Sequence, residues 1–239
     1  SKTMTQVSHA TAVRQPIHDA PATTVEQKHH ILDLDNFSTE EIEVLLDDTA
    51  AMKEVLNRDI KKVPTLRGKS MITLFMEPST RTRVSFEQAG KILSADVINV
   101  SGNGSSVEKG ESLYNTALTL QAMNTDIIVV RHPHAGAPHF LARNLKASVI
   151  NAGDGAHAHP TQALLDLYTI QRKFGKVEGL RVVIVGDILH SRVARSNLWG
   201  LTAMGANVVL CAPATLLPAD FSYVTRLQRG HPFSEVEVE

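Results

Sequence analysis

The sequence predicts an α/β fold in two domains, each a parallel sheet flanked by helices, with the second domain incomplete. Short apolar runs at 71–75, 97–100, 127–130, 149–150, 182–185 and 208–210 alternate with stretches of helical periodicity, the pattern of parallel sheets covered by helices. The runs are nearly continuous in Val and Ile, as in strands buried on both faces. A chain of 239 residues lies between one large domain and two small ones.

Residues 1 to about 28 are rich in Thr, Ala, Gln, His and Pro without apolar periodicity, and are expected to form a mobile tail. From His30 the character changes. Ile31, Leu32 and Leu34 precede Ser38, Thr39, Glu40 and Glu41, a capping-box spacing that starts a helix. Ile42, Leu45, Leu46, Met52 and Val55 continue it at helical spacing to about Asn57. The first strand, 71–75, leads into a helix over 83–93, and the second, 97–100, into one over 111–123. The third, 127–130, precedes a helix over 138–144, and the fourth, 149–150, one over 161–174. Gly175 to Gly179 then break the series. This places a first domain at 29–174, including a joining helix from about Pro160, and a second at 175–239, truncated or lacking segments. That second domain is read as strand 182–185, helix 191–204 and strand 208–210.

Composition narrows the function classes. A formal net charge of −1 gives no nucleic-acid or acidic-membrane surface, so any anion site must be local. The single cysteine, Cys211, excludes an internal disulfide framework and fits a reducing compartment, so a cytoplasmic location is expected. No run reaches the length of a membrane span, and the N-terminus lacks the apolar core of a signal peptide.

Ligands of parallel sheets bind outside the carboxyl ends of the strands, and the chemistry-bearing loops fall there. After the first strand, Glu77-Pro78-Ser79-Thr80-Arg81-Thr82-Arg83 opens a helix. Hydroxyls, guanidiniums and first-turn N–H groups would converge there on phosphate; the competing reading makes Ser79 or Thr80 an ordinary N-cap. After the second, 101–110 is glycine- and serine-rich and carries Ser105 and Lys109 either as anion donors or as part of a surface loop. Arg131 leaves the third strand placed for an oxyanion, or solvated at a strand exit. After the fourth, His159, Pro160, Thr161 and Gln162 open the joining helix. His159 could donate to a carbonyl oxygen and Gln162 recognise an amide-like group. His132, His134, His157 and His159 match no structural zinc spacing, and no carboxylate or thiolate partner is read beside them, so no metal or cofactor is expected. In the second domain, Arg192 and Arg195 begin a helix where a carboxylate could be met, or one of them is a surface charge. No dinucleotide fingerprint and no Walker lysine occurs.

Taken in order, these loops resemble the aspartate/ornithine carbamoyltransferase family, and most closely its aspartate-type catalytic chains, from about His30 to Pro218. The stretch Phe75-Met76-Glu77-Pro78-Ser79-Thr80-Arg81-Thr82-Arg83-Val84-Ser85-Phe86-Glu87 and the motif His159-Pro160-Thr161-Gln162 carry the resemblance. It implies transfer of the carbamoyl group of carbamoyl phosphate to the α-amine of L-aspartate, a step of pyrimidine biosynthesis needing neither cofactor nor metal. Ser79, Thr80, Arg81 and Thr82 would hold the phosphate, and Arg131, His159 and Gln162 the carbamoyl end. Ser105 and Lys109 would come from a neighbouring subunit of a homotrimer with shared sites, with Lys109 touching both phosphate and aspartate. Thr82, Arg131 and His159 would donate to the developing oxyanion. Arg192, and Arg226 and Gln228 in an Arg-x-Gln segment, would bind aspartate. Glu77, Thr161 and Lys109 differ from the ornithine-type wording. A regulatory chain or dihydroorotase partner is left open.

The resemblance fails toward the end. Arg226 and Gln228 come too soon after Pro218, and residues 230–239 match nothing expected, with His231-Pro232-Phe233 a faint echo of a substrate-closing loop. The alternatives are a carbamoyl-phosphate-binding module with weak or no turnover, or an ornithine carbamoyltransferase.

Overall fold

The computed structural model describes residues 29–102, 112–218 and 237–238. The tail at 1–28, the loop bearing Ser105 and Lys109, and the segment bearing Arg226 and Gln228 lie outside the described residues.

The capping box at Ser38 forms as its spacing predicts. The Ser38 hydroxyl accepts the Glu41 N–H at 3.2 Å and the Glu41 carboxylate accepts the Ser38 N–H at 2.8 Å, opening α1 (Thr39–Leu56). Four strands follow: β1 (Ser70–Phe75), β2 (Asp96–Ser101), β3 (Ile127–His132) and β4 (Ser148–Asp154). They form one parallel sheet in the order β2-β1-β3-β4. Between them run α2 (Thr80–Ile92), α3 (Leu113–Ala122) and α4 (Ala137–Asn144).

Alternate side chains of β1 divide between two cores, as a period of two requires. Ile72 and Leu74 pack with Leu120, Ile128, Val130 and Leu141. Met71 and Phe75 pack with Val129, Ala152 and the partly buried Phe86 and Val97. Helix α2 can approach this second face because residue 90 is glycine: a Cβ there would stand 2.6 Å from Val97 Cγ2 and 3.0 Å from Met71 Cε. Strands β1, β3 and β4 are thus buried on both sides. Strand β2, at one edge of the sheet, is not: it leaves Ile98 and Val100 exposed, against the expectation drawn from its apolar run.

Helix α5 (Pro160–Phe174) leads to β5 (Arg181–Val185), α6 (Arg192–Ala203), β6 (Asn207–Cys211) and, after a short 3-10 turn, β7 (Glu237–Val238). These strands form a second parallel sheet, β5-β6-β7. Its core is shared with the N-terminal helix, since Ile42 and Leu46 join Leu167, Leu198, Leu201, Val208 and Leu210 in one cluster. Helices α5 and α6 meet closely at Gly200, where a Cβ would lie 2.9 Å from Leu167 Cδ1. Strand β5 also departs from the expectation of two-sided burial. Its residues alternate, with Val183 52% and Val185 73% exposed.

The fourth strand runs longer than the two apolar residues that announced it. Asn151, Ala152, Gly153 and Asp154 continue it, and the Asn151 amide anchors it by donating to Leu32 O and to Asp154. Among the described residues no helix is long and apolar enough to cross a membrane.

Candidate active site

The strand order puts a topological switch between β1 and β3, because the chain leaves β1 toward β2 and returns on the other side. A crevice opens at the carboxyl ends of strands at such a point. Met76 N–H donates to Arg131 O at 2.8 Å, so the loop leaving β1 is tied to the end of β3.

Ser79 occupies the N-cap position of α2 but does not cap it. Its φ of −160° is extended, its side chain accepts no first-turn N–H, and its hydroxyl instead donates to Thr82 Oγ1 at 3.0 Å. The ordinary-cap reading of this serine therefore fails. The first turn carries no acidic residue, so its N–H groups and the positive end of the helix dipole are uncompensated by side-chain carboxylates. Thr80 and Arg81 are exposed on that turn, and Thr82 is half-buried.

Arg131, near the end of β3, and Arg192, at the start of α6, converge on Glu77. Arg131 donates to Glu77 Oε1 from Nη2 at 2.8 Å and from Nε at 3.2 Å. Arg192, the first residue of α6, reaches Oε1 from Nη2 at 2.9 Å and Oε2 from Nη1 at 3.3 Å. The two guanidiniums are only 12% and 17% exposed. Hydrogen bonding to Arg192, opposed by burial and reinforced by Arg131, holds the Glu77 carboxyl below the usual carboxylate range. Two cations share one carboxylate, leaving the trio with an excess of positive charge.

Gly153 makes this convergence possible. Its φ is +121°, and a Cβ would stand 3.0 Å from Arg192 Nε and 3.4 Å from Arg131 Nη1. Carbonyls complete the clamp, with Arg131 donating to Ala152 O at 3.3 Å and Arg192 to Gly155 O at 2.9 Å.

His159, the N-cap of α5, is 7% exposed. Its backbone N–H donates to Ser196 Oγ at 2.8 Å, and Ser196 donates in turn to the buried Asp33 at 3.2 Å. Burial first, then Arg131 and Arg192, pushes its imidazole down to about 4. The ring is therefore neutral near pH 7, and its buried Nδ1 has no hydrogen-bond partner. Such a ring beside two guanidiniums can serve an anion or a polarised carbonyl without adding charge.

Gln162 sits on the first turn of α5, but its amide nitrogen donates to Asp166 at 3.0 Å rather than into the arginine cluster. Ser105, Lys109, Arg226 and Gln228 lie outside the described residues. Sequence reading missed the pairing role of Glu77, the room left by Gly153 and the anchoring by Ser196. Glu77 carried a signal, since it stands inside the loop motif. It also passed over Asp154, three residues before His157, and His139; one ligand atom from each of His139, Asp154 and His157 lies within 4.8 Å of the others.

Comparison with known proteins follows the same elements. Residues 29–172 match the family model described as aspartate/ornithine carbamoyltransferase, carbamoyl-P binding domain. An aspartate carbamoyltransferase catalytic subunit of Roseiflexus sp. (strain RS-1) is 64% identical over 192 residues, covering 80% of this chain and 60% of that one. The chain thus spans about 60% of the length of that relative. The catalytic subunit of M. jannaschii aspartate transcarbamoylase superposes with a TM-score of 0.75 at 38% identity, covering 88% of this chain and 67% of the other. Aspartate transcarbamoylase from Trypanosoma cruzi, solved with carbamoyl aspartate and phosphate, gives 0.78 at 31% identity, covering 88% and 68%.

Proposed function

This chain belongs to the aspartate/ornithine carbamoyltransferase family, and from that premise we propose that it transfers the carbamoyl group of carbamoyl phosphate to the α-amine of L-aspartate. The products are N-carbamoyl-L-aspartate and phosphate. The observation that carries this reading is the convergence of Arg131 and Arg192 over Gly153, beside the neutral His159, at the ends of β3 and β4. Two anionic substrates repel one another, and a clustered excess of guanidinium charge is what brings them together.

In the proposed reaction the deprotonated α-amine attacks the carbamoyl carbon, forming the C–N bond and a tetrahedral oxyanion. The carbon–oxygen bond to phosphate then breaks, phosphate takes the electron pair, and the amine loses its proton. An acyl phosphate is already activated, so positioning and fixed donors are sufficient sources of rate. Ser79, Thr80, Arg81 and Thr82 are assigned to the phosphate at the α2 N-terminus. Arg131, His159 and Thr82 are assigned to the oxyanion, and Gln162 to the carbamoyl nitrogen after release from Asp166. Arg192 is assigned to an aspartate carboxylate, with Arg226 and Gln228. Ser105 and Lys109 would enter from a neighbouring subunit of a homotrimer. We place the reaction in the cytoplasm, in line with the lone Cys211. Aspartate is preferred to ornithine as the acceptor because Glu77 and Thr161 follow the aspartate-type wording and the Roseiflexus relative carries the aspartate name.

A second reading, a carbamoyl-phosphate-binding module with weak or no turnover, is favoured by the match of residues 29–172 to a carbamoyl-P binding domain. An assay of this polypeptide with carbamoyl phosphate and either aspartate or ornithine separates the readings. Carbamoyl aspartate formation supports the first. Binding of carbamoyl phosphate without product supports the second, and citrulline alone would replace both with the ornithine activity.

A further inference from the structure

We propose that His139, Asp154 and His157 form a binding site for a divalent first-row transition ion of the zinc type, separate from the arginine cluster. The three residues come from the first turn of α4, the end of β4 and the loop that follows it. One ring nitrogen from each histidine and one carboxylate oxygen lie within 4.8 Å of one another. His157 Nδ1 lies 3.0 Å from Asp154 Oδ2 and 3.1 Å from Oδ1, a hydrogen-bonded spacing that an ion would replace with an edge of about 3.3 Å, given metal–ligand bonds of about 2.0–2.2 Å.

The surroundings resemble the second shell of a metal site more than that of an isolated ion pair. His139 Nδ1 is shielded from solvent and has no hydrogen-bond partner, although buried ring nitrogens normally find one. The Asp154 carboxylate is fully buried and fixed in orientation. Asn151 Nδ2 donates to Oδ1 at 2.9 Å, Ala158 N–H to Oδ1 at 3.1 Å, and Gly136 N–H to Oδ2 at 2.8 Å. If His157 ligates through Nδ1, its other nitrogen, Nε2, points toward the buried Asp33 carboxylate, 3.9 Å away. At 3.9 Å this is a charge contact; a small rotation of the ring would close it to the hydrogen bond by which carboxylates orient zinc-ligating histidines.

The donor set decides the class of ion. Two imidazoles and one carboxylate suit Zn2+, Co2+ or Ni2+, whereas Mg2+ and Ca2+ take oxygen ligands. His157 remains one-third exposed, which leaves a side open for a water as the fourth ligand. Such an ion would tie α4 to the loop that carries His159. The proposal does not depend on the transferase reading, because it concerns metal binding by the chain itself.

The test uses the 239-residue chain stripped with chelator, Zn2+ calorimetry, and Co2+ titration followed by visible absorption. The expected result is one strong site per chain with a tetrahedral Co2+ spectrum. His139→Gln and His157→Gln should each weaken it at least tenfold, while a His29→Gln/His30→Gln variant should leave it unchanged. Asp154 is left intact because its carboxylate also holds Asn151, Gly136 and Ala158. Circular dichroism of each variant, together with the less bulky His139→Ala, separates lost ligation from lost folding. Equal Zn2+ affinity in wild type and a folded His139 variant would overturn the proposal. So would loss of binding on removing His29 and His30, or no binding at micromolar free Zn2+.

Discussion

The two sheets of this protein are built from the same Val- and Ile-rich strands yet are buried differently. In the first, Ile128, Val129 and Val130 have no solvent exposure, and alternate residues of β1 feed cores on opposite faces. In the second, β5 keeps Val182 and Ile184 against the core and turns Val183 and Val185 to solvent. Similar strand composition thus accompanies two-sided burial in β1, β3, β4 and β6 and, among the described residues, one-sided burial in β5. The candidate site follows this asymmetry. Glu77 follows β1, Arg131 and Gly153 lie near the ends of β3 and β4, and His159 caps α5, while Arg192 and Ser196 reach over from α6.

The sharpest way to break this comparison is through the cores. Ile128→Ala removes a fully buried side chain between two helices and should cost about 4 kcal/mol by chemical denaturation. A loss below about 1 kcal/mol would mean the first sheet is not the rigid platform described. Next in size is Arg131→Ala, which removes the guanidinium nearest the proposed oxyanion. Carbamoyl aspartate formation should fall about 10²-fold with the fold intact, the scale of losing one fixed donor. Unchanged turnover would remove Arg131 from the site.

Ser196→Ala tests the bridge between the sheets. It leaves the buried His159 N–H without an acceptor and should cost about 2 kcal/mol. Ser196→Thr, which keeps the hydroxyl, should recover part of that loss, whereas equal losses would point to packing alone. Glu77→Gln is smaller, about 1 kcal/mol near neutral pH, because the amide oxygen still accepts from the arginines. The pH dependence is more telling. Arg192 and then Arg131 hold the Glu77 carboxyl below the usual value of 4.5. Its stabilisation is therefore complete above pH 4.5 and is lost as pH falls through the lower folded value. The stability difference between wild type and Glu77→Gln should shrink on acidification over that window. A difference constant with pH would sink the assignment.

What the sequence showed and what it hid divides along physical lines. The capping box at Ser38 was legible because both hydrogen bonds are local, three residues apart. The starts of α5 and α6 were legible because Pro160 and Ser191 mark first turns. The extension of β4 through Asn151 and Asp154 was not, because polar and glycine residues are poor strand formers and what holds them is a bond to Leu32, far away in sequence. Glu77 was legible as part of a motif but not as the partner of Arg192, since that pair spans 115 positions. The exposure of Val183 and Val185 was hidden for a related reason. An apolar run gives a strand's composition, and only the neighbouring layers decide how many of its faces are covered.

That last point yields the smallest and most discriminating prediction. Val185, at 73% exposure, and Val183, at 52%, lie on a face of β5 that no described residue buries. Val185→Thr keeps the β-branched shape that a strand favours and replaces a methyl with a hydroxyl that solvent can satisfy. Its cost in this polypeptide should be within about 0.5 kcal/mol, as for surface substitutions that touch no special feature. The matching change on the covered sheet, Val129→Thr, buries a hydroxyl where exposure is zero and should cost about 2 kcal/mol. If both cost the same, β5 is covered on both faces and the contrast between the sheets disappears. If only Val129→Thr destabilises, the face of β5 that bears Val183 and Val185 is exposed in solution as it is among the described residues. The site then rests on the first sheet, with α6 supplying Arg192 and Ser196 from a helix packed between α5 and the second sheet.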